Sequence, residues 1–239
     1  MQGILLIDKP REWTSFDVVN YVRRQVAQLE GKKPKNCKVG HTGTLDPLAT
    51  GLLILVVGKE YTRRAGEFSK LDKTYEVTMK LGETSTTGDE EGTKSAGSTN
   101  TPTEQQITDA LRAFTGDIMQ TPPAFSAMKI NGVRAYKLAR EGKTVAMEAR
   151  PVTIYSNTLT AYDYPFITFV SAVSSGTYIR SLVEDIGRQL ETGAYMSDLR
   201  RTKVGVHSIA DATEVENINM SNITLRLLTL PATETIPES

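Results

Sequence analysis

The sequence contains very few of the residues that build metal centres or covalent cross-links. Its 239 residues include one cysteine, Cys37, and two histidines, His41 and His207. A single cysteine forms neither an internal disulfide nor a cysteine-based metal cluster, and the histidines are too far apart for a local metal motif. The sequence also lacks a Walker-type phosphate loop and a dinucleotide-binding fingerprint. These absences favour an activity without a metal or organic cofactor, in a compartment where thiols stay reduced.

Long apolar runs are missing as well. No stretch approaches the roughly 20 apolar residues that span a bilayer, and the first residues do not resemble a secretory signal. Hydrophobic residues make up 39% of the chain and charged residues 23%, which is typical of globular proteins with a real core. The composition therefore predicts a cytoplasmic protein with no attachment to a membrane.

The net charge is zero, but the charges are unevenly distributed. Residues 1–80 contain 14 basic and 9 acidic side chains, a net charge of +5, and residues 121–203 contain 11 and 7, a net charge of +4. The intervening residues 81–120 carry −5 and residues 204–239 carry −4. Two basic blocks that fold together would give the basic face that nucleic-acid phosphates require. From the charges alone, a solvated surface without a nucleic-acid partner is an equally good interpretation.

Apolar patterns predict several strands. The runs at residues 3–7 and 52–57 are typical of buried strands, and residues 74–81 alternate between apolar and polar side chains. The remaining strand candidates are residues 152–160, 166–173 and 204–209.

Helix and turn signals separate these strands. Ser15 and Thr103 stand where helix N-caps are expected, and residues 179–190 have helical spacing. Residues 84–103 read as a long polar loop, and Asn131-Gly132 indicates a hairpin. We expect an α+β fold in which helices pack against a mixed, largely antiparallel sheet.

The most informative stretch is KVGHTGTLDPLATGL, residues 38–52, which joins a basic segment to a predicted core strand. Its glycines allow sharp turns, and Pro47 stiffens the chain behind Asp46. A carboxylate on such a loop is placed as a reactive group would be. Taken in isolation, Asp46-Pro47 is more often an ordinary turn.

Two further residues remain ambiguous from the pattern alone. Arg180 lies near the start of a predicted helix, where the helix dipole disfavours a cation by about 0.3–1 kcal/mol, so a nearby anion is one explanation and a solvated side chain is the other. Tyr75 lies on the apolar face of its strand, where most tyrosines are core or rim residues.

Several separated motifs, in the same order, make the chain similar to the TruB-type pseudouridine synthases from residue 3 to about residue 209. Residues 6–10, 40–51 and 176–182 resemble three family motifs, and Leu199-Arg200-Arg201 resembles a fourth. The resemblance implies the pseudouridine-synthase catalytic fold. It also implies isomerisation of the uridine at position 55, in the TΨC loop of tRNA.

The resemblance implies roles for individual residues. Asp46 would act on the target nucleotide, Tyr75 would stack on the extracted uracil and assist the reaction, and Arg180 would pair with the catalytic aspartate. His41 would enter the tRNA loop, and Leu199 would line the uracil pocket.

The other predicted RNA contacts are basic or aromatic side chains. Lys9 and Tyr178 belong to the shared motifs, and Arg63 follows the strand predicted at residues 52–57. Lys129 lies in a basic segment, about residues 121–150, that resembles the part of the family that clamps the RNA stem-loop. Positive side chains there would hold phosphates and fix the register of the RNA.

We predict one catalytic domain, residues 1–210, followed by an acidic C-terminal extension, residues 211–239, that is too short for the RNA-binding PUA domain of longer relatives. Thr86 departs from the family pattern, which often has an aspartate there, although Asp89 is retained. The T-arm stem-loop of tRNA is the predicted partner. We expect a monomer that needs no obligate protein partner, no cofactor and no metal.

The residue types suit the implied chemistry. An aspartate is ionised at neutral pH, so it can act as nucleophile or base without a partner that takes its proton. Extracting a stacked base costs a few kcal/mol, and stacking on an aromatic side chain returns about 1–3 kcal/mol. Two rivals remain: a non-catalytic factor that binds or folds tRNA, and a glycosidase-like hydrolase, which would need a second carboxylate near Asp46.

Overall fold

The computed structural model of the chain describes residues 1–126, 128–130, 132–142 and 147–229. The chain divides into two compact units. Met1–Tyr75 and the residues from Leu199 onward form the first unit, and Glu76–Asp198 form the second. Both boundaries fall within strands, so two strands belong in part to each unit.

Helices and strands alternate along the chain. The α-helices among the described residues are α1 Ser15–Leu29, α2 Lys59–Arg63, α3 Ala65–Ser69, α4 Glu104–Ala113, α5 Ala135–Arg140, α6 Ile179–Gln189 and α7 Ile223–Arg226. The strands are β1 Gly3–Lys9, β2 Val39–His41, β3 Thr50–Val57, β4 Lys73–Leu81, β5 Glu83–Ser85, β6 Lys94–Ala96, β7 Gly116–Gln120, β8 Lys129–Ile130, β9 Val133–Arg134, β10 Arg150–Asp163, β11 Phe166–Val173, β12 Ala194–Val204, β13 His207–Ser208 and β14 Thr213–Glu214.

In the first unit, β1 and β3 form the centre of a mixed sheet with the order β14-β1-β3-β12. β1 and β3 are antiparallel, whereas β14 pairs with β1 and β12 pairs with β3 in parallel. Both central strands are apolar on each face, which is why both faces can be buried. The apolar runs predicted as strands at residues 3–7 and 52–57 are confirmed.

The core of the first unit is assembled from both ends of the chain. Alternate residues of β1 and β3 pack with Tyr61 and Phe68 of α2 and α3, and with Val204 of β12. Burial of each large apolar side chain stabilises the fold by about 1.5–3 kcal/mol. Val215 and Ile218 are also buried, so part of the acidic extension predicted after residue 210 is folded into this unit.

The N-cap of helix α1 lies one residue earlier than predicted. Thr14, not Ser15, is the N-cap, and it forms a capping box with Asp17. Ser15 is buried, and its hydroxyl bonds to the backbone of Leu45 instead. A hydroxyl at either position fits the sequence pattern, and only the tertiary contact decides between them.

In the second unit, the strand order is β4-β11-β10-β7. β10 and β11 form a long antiparallel hairpin, and β7 pairs with the other edge of β10. Thr103 caps α4 in the predicted capping box with Gln106. The predicted hairpin turn is confirmed by the pairing of β8 with β9, although Asn131 itself lies outside the described residues.

Two further predictions of local structure were wrong. Residues 84–103 were expected to form a loop, but they contribute to β5 and contain β6, which pair with each other. A strand was also expected at residues 204–209, but these residues hold only the last residue of β12, Val204, and the two-residue strand β13, because β12 itself begins at Ala194. The arginines near the end of β12 hid it, because charged pairs are not typical of a central strand.

The expected fold class is confirmed. Among the described residues the sheet is mixed, with the parallel pairs β1–β14 and β3–β12 beside a larger number of antiparallel pairs, and helices accompany the strands in both units. In the described part of the chain, no helix is long and apolar enough to cross a membrane.

Replacing Gly51 with alanine should destabilise the first unit. Gly51 has a φ of 100°, and a Cβ there would lie 2.3 Å from the carbonyl oxygen of Arg201 and 2.8 Å from its nitrogen. Both atoms are backbone, so neither can move without opening the pairing of β3 with β12. We expect the free energy of unfolding, measured by chemical denaturation, to fall by about 3 kcal/mol.

Gly66→Ala is the matched control. Gly66 lies in α3, and no atom lies within 4 Å of the position that a Cβ would take. Alanine should leave the stability unchanged or raise it by up to about 1 kcal/mol. Equal destabilisation by the two substitutions would contradict the steric argument.

Candidate active site

The loop that carries Asp46 connects β2 to β3 in the first unit. Residues 42–49 have no regular secondary structure, yet their backbone is held at several points. The amide of Thr42 donates to the carbonyl of Ile54 at 3.1 Å, and the amide of Ala49 donates to the carbonyl of Asp46 at 3.1 Å. Asp46 is partly exposed, while Leu45 and Ala49 are buried.

Lys9, at the end of β1, binds the middle of this loop. Its side chain is fully buried, and its Nζ donates to the carbonyls of Pro47 at 3.2 Å, Trp13 at 2.6 Å and Pro10 at 2.9 Å. Burial lowers the pKa of Lys9 to about 8, and the nearby carboxylate of Asp46 opposes part of that shift. These contacts place Lys9 beside the loop, so they support a role in holding the loop rather than a phosphate of RNA.

Ser15 and Arg201 bind the loop on either side of Pro47. The hydroxyl of Ser15 donates to the carbonyl of Leu45 at 3.0 Å and accepts from its amide at 2.8 Å. Arg201 is 2% exposed, and its guanidinium donates to the carbonyls of Leu52 at 2.7 Å and Gly43 at 3.1 Å. Neither residue was predicted to belong to the site.

The structure locates the other predicted residues of the first unit as follows. Tyr75 lies on β4 and Leu199 on β12, which are neighbouring strands, and both side chains are buried. His41 ends β2, immediately before the loop, and is partly buried. Arg63 ends α2 and is exposed, as a contact with RNA phosphates requires.

Arg180 belongs to the second unit, in the first turn of α6. It is 7% exposed, and it donates to the carbonyls of Thr87 at 3.0 Å and Phe125 at 2.9 Å. The carboxylate of Asp89 lies 3.3 Å from its Nη1. An anion near Arg180 is therefore present in this unit. The pairing with the catalytic aspartate that the resemblance implies stays a prediction.

Asp89 is buried and tied to its own loop. One of its carboxylate oxygens accepts from the hydroxyl of Thr87 and from the amide of Glu91, and the other faces Arg180. The loop thus holds a guanidinium that in turn reaches Phe125, in the predicted RNA-clamping segment. The sequence shows Asp89 only as one acidic residue among several, so its partner could not be inferred.

Two predicted RNA contacts lie on segments connected to this region. Tyr178 precedes α6, and its backbone exchanges two hydrogen bonds with the side chain of Gln120, at 2.8 and 3.0 Å. Lys129 is part of β8, but its side chain lies outside what the structure describes.

A basic pocket of about 460 Å³ opens next to β2 in the first unit. Arg23, Lys35 and Lys38 line it together with Cys37, Gly40 and Thr62, and none of its lining residues is acidic. Arg23 is fixed there by hydrogen bonds to Asn20 and to the carbonyl of Val39. The pocket has the charge that a phosphate group requires. Among the described residues, no three His, Cys, Asp or Glu side chains are grouped as metal ligands would be.

Comparisons with known proteins agree over most of the chain. Residues 30–179 match the model of the TruB family pseudouridylate synthase N-terminal domain, and residues 180–230 match that of the tRNA pseudouridylate synthase B C-terminal domain. The tRNA pseudouridine synthase B of Clostridium acetobutylicum is 42% identical over 228 residues, which cover 95% of this chain and 76% of that protein. The enzyme of the same name from Phocaeicola vulgatus is 42% identical and covers 90% of each chain.

Solved structures are similar in fold. A chain in the crystal structure of a Cbf5-Nop10-Gar1 complex matches 90% of this chain with a TM-score of 0.65 and 26% identity. The chain spans about half of that protein, 53% of its length. A chain of an archaeal box H/ACA Nop10-Cbf5 complex, 24% identical, has a TM-score of 0.63 and supports the fold alone.

The lowered pKa of Lys9 predicts how its effect on stability changes with pH. Its pKa falls from 10.5 to about 8 on folding, so between these values the unfolded chain binds more protons than the folded chain. The contribution of Lys9 to the free energy of unfolding should therefore rise with pH across this window. Below this pH window Lys9 is charged in both the folded and the unfolded chain, and above it Lys9 is neutral in both. Outside the window its contribution to the free energy of unfolding is therefore independent of pH.

Lys9→Met should lack this rise. Denaturation of both proteins at about pH 7 and about pH 10 would show the stability difference shifting in favour of the wild type at the higher pH. A difference that does not change with pH would mean that Lys9 keeps an ordinary pKa in the folded protein.

Proposed function

Because the chain belongs to the TruB family of pseudouridylate synthases, we propose that it isomerises uridine to pseudouridine in the TΨC loop of tRNA. The observation that carries the proposal is the loop of Asp46, whose irregular backbone is held by Lys9, Ser15 and Arg201. The family motif lies on this loop, and the relatives named tRNA pseudouridine synthase B are 41–43% identical to the chain.

The reaction requires one group to stay close to both the ribose and the base. The C–N glycosidic bond breaks, the base turns, and a C–C bond forms to the same sugar carbon. Asp46 serves this chemistry as an ionised carboxylate that needs no separate base to activate it. A backbone held on three sides keeps the carboxylate in place while the base moves, which favours the transition state over a mobile arrangement.

Tyr75 and Leu199 are the proposed contacts of the extracted uracil. They lie on neighbouring strands of the first unit, and an aromatic ring beside an apolar side chain suits a flat base. His41 directly precedes the loop, and its proposed role is to fill the space in the RNA that the extracted base leaves. Arg180, buried in its network with Asp89, completes the proposed catalytic set.

The RNA backbone would be held by basic side chains. Arg63 is exposed, and the pocket lined by Arg23, Lys35 and Lys38 adds three positive charges beside β2. Because β2 leads directly into the loop of Asp46, a phosphate bound there would fix the register of the RNA relative to the carboxylate. Lys129, Tyr178 and the segment around them remain the proposed clamp for the stem-loop.

Release of tritium tests the reaction directly. Uridine labelled at C5 must lose that hydrogen when pseudouridine forms, so purified protein should release tritium from unmodified tRNA. Mapping of pseudouridine to the TΨC loop would establish the position. Tight binding without release would replace the proposal with a tRNA-binding or tRNA-folding factor, and release of free uracil would indicate a hydrolase.

Asp46→Asn should abolish turnover and keep the fold. The substitution removes the nucleophilic charge but preserves size, so we expect tritium release to fall at least about 10⁴-fold. The dissociation constant for tRNA should stay within about threefold, because the phosphate contacts are untouched. Turnover near the wild-type rate would exclude Asp46 as the catalytic residue.

Removing two charges of the basic pocket should weaken RNA binding in a salt-dependent way. For the double variant Lys35→Ala/Lys38→Ala, the slope of log affinity against log salt should decrease by about 2, one for each lost phosphate contact. Lys70→Ala, an exposed lysine of the same unit outside this pocket, is the control and should leave the slope unchanged. Equal slopes for all three proteins would remove the pocket from the RNA interface.

A further inference from the structure

We propose that Arg201 is a positioning residue: its buried guanidinium ties the two ends of the Asp46 loop together and so fixes the carboxylate for the isomerisation. The inference rests on the proposed function for its catalytic consequence. The contacts themselves do not depend on it.

The guanidinium bridges the loop across its base. One nitrogen, Nε, donates to the carbonyl of Leu52 at 2.7 Å, after the loop, and Nη2 donates to the carbonyl of Gly43 at 3.1 Å, before Asp46. A Cβ on Gly43 would lie 3.5 Å from Nη1, so the guanidinium also lies close to the backbone at that end. One side chain therefore sets the separation of two segments that Asp46 connects.

Only arginine can make both contacts from one rigid group. Its planar fork carries five N–H donors in fixed directions, whereas a lysine ammonium is a single point at the end of a flexible chain. The backbone position of Arg201 is fixed as well, because Arg201 pairs with Gly51 in the parallel ladder of β12 and β3. The absence of a side chain at Gly51 lets the two backbones approach closely enough for the fork to reach Leu52.

Burial makes a purely structural role a poor explanation for this arginine. A buried cation pays a desolvation cost, and apolar residues of similar volume often replace such charges without loss of stability. Arg200, its neighbour, is more exposed and is bound by the carboxylate of Asp8, at 2.6 Å. Arg201 instead bonds to the carbonyl of Gly43 in the loop and to that of Leu52 in β3, and its positive charge helps to lower the pKa of both Lys9 and Lys73.

Lys9, the other buried cation at this loop, holds a different part of it. Lys9 contacts Pro47, which follows Asp46 directly, and Ser15 contacts Leu45, which precedes it. Lys9 and Ser15 therefore hold the residues on either side of the carboxylate. Arg201 holds the two ends of the segment, at Gly43 and Leu52. Loss of Arg201 should leave the local contacts in place while the whole loop shifts. A displacement of about 1 Å is sufficient to cost 10²-fold in rate.

The experiment measures kcat, RNA affinity and loop protection on the full chain. For Arg201→Met we expect kcat for tritium release to fall about 100-fold, with a dissociation constant for unmodified tRNA within about threefold of the wild type. Arg201→Lys keeps the charge and reaches one carbonyl at a time, so kcat should fall about 10-fold. Hydrogen exchange should quicken at residues 42–50 in both variants and stay slow in β1.

Lys73→Met is the matched control. Lys73 is also a buried cation of the first unit, and its Nζ donates to the carbonyl of Ser69 at 2.6 Å, away from the loop. Its thermal stability should change by a similar amount to that of Arg201→Met, but its kcat should stay within about threefold of the wild type. Assays are run well below the melting temperature of each variant, so loss of folded protein does not enter the rates.

The outcomes separate the alternatives. Wild-type kcat in Arg201→Lys, or equal losses of kcat in the Arg201 and Lys73 variants, would overturn the positioning role. A loss of RNA affinity that matches the loss of rate would overturn it in favour of a binding role. If Arg201→Met does not fold, the kcat and the hydrogen exchange of Arg201→Lys alone decide whether Arg201 is a positioning residue. If the wild type releases no tritium, the proposed function fails. The contact between Arg201 and the loop is tested separately, and unchanged hydrogen exchange at residues 42–50 in the Arg201 variants would overturn it.

Discussion

Buried cations that bond to backbone carbonyls are the interaction on which the candidate active site depends. A backbone carbonyl that folding removes from water costs about 1–3 kcal/mol when it is left unsatisfied. Around Asp46, backbone carbonyls accept hydrogen bonds from Lys9 and Arg201, whose charge makes the bonds roughly twice as strong as neutral ones. Desolvation of the two cations offsets much of that gain. The bonds therefore contribute more to the shape of the loop than to the stability of the fold.

The second unit uses the same kind of contact with one addition. Arg180 donates to the carbonyls of Thr87 and Phe125, and the buried carboxylate of Asp89 lies beside it. The charge is thus partly balanced within its own unit, whereas no carboxylate is among the hydrogen-bond partners found for Arg201. In both units, an irregular segment takes its conformation from a distant side chain. Local turn preferences alone would leave such segments mobile.

The regular parts of the structure could be predicted because short-range patterns determine them. The alternation of β4, the apolar runs of β1 and β3 and the capping box of α4 each follow from neighbouring residues. The family was also predicted, since its motifs are local strings. The missed features depend on long-range contacts. Ser15 was taken as a cap because its bond to Leu45 is invisible in sequence, and Arg201 was overlooked because a charged pair does not indicate a buried strand.

The first unit is built from the two ends of the chain, and this has a consequence for how the protein is made. The ribosome synthesises Asp46 early and β12 late. The carbonyls of Gly43 and Leu52 therefore cannot bond to Arg201 until most of the polypeptide has emerged. The second unit is continuous in sequence and can close first. The pairing of β1 with β14 joins Ile7 to Thr213, and that of β3 with β12 joins Thr50 to Arg200, and contacts so distant in sequence form slowly. A nascent chain therefore carries Asp46 before the contacts of Arg201 with Gly43 and Leu52 can form, and the loop acquires those contacts only after β12 has been synthesised.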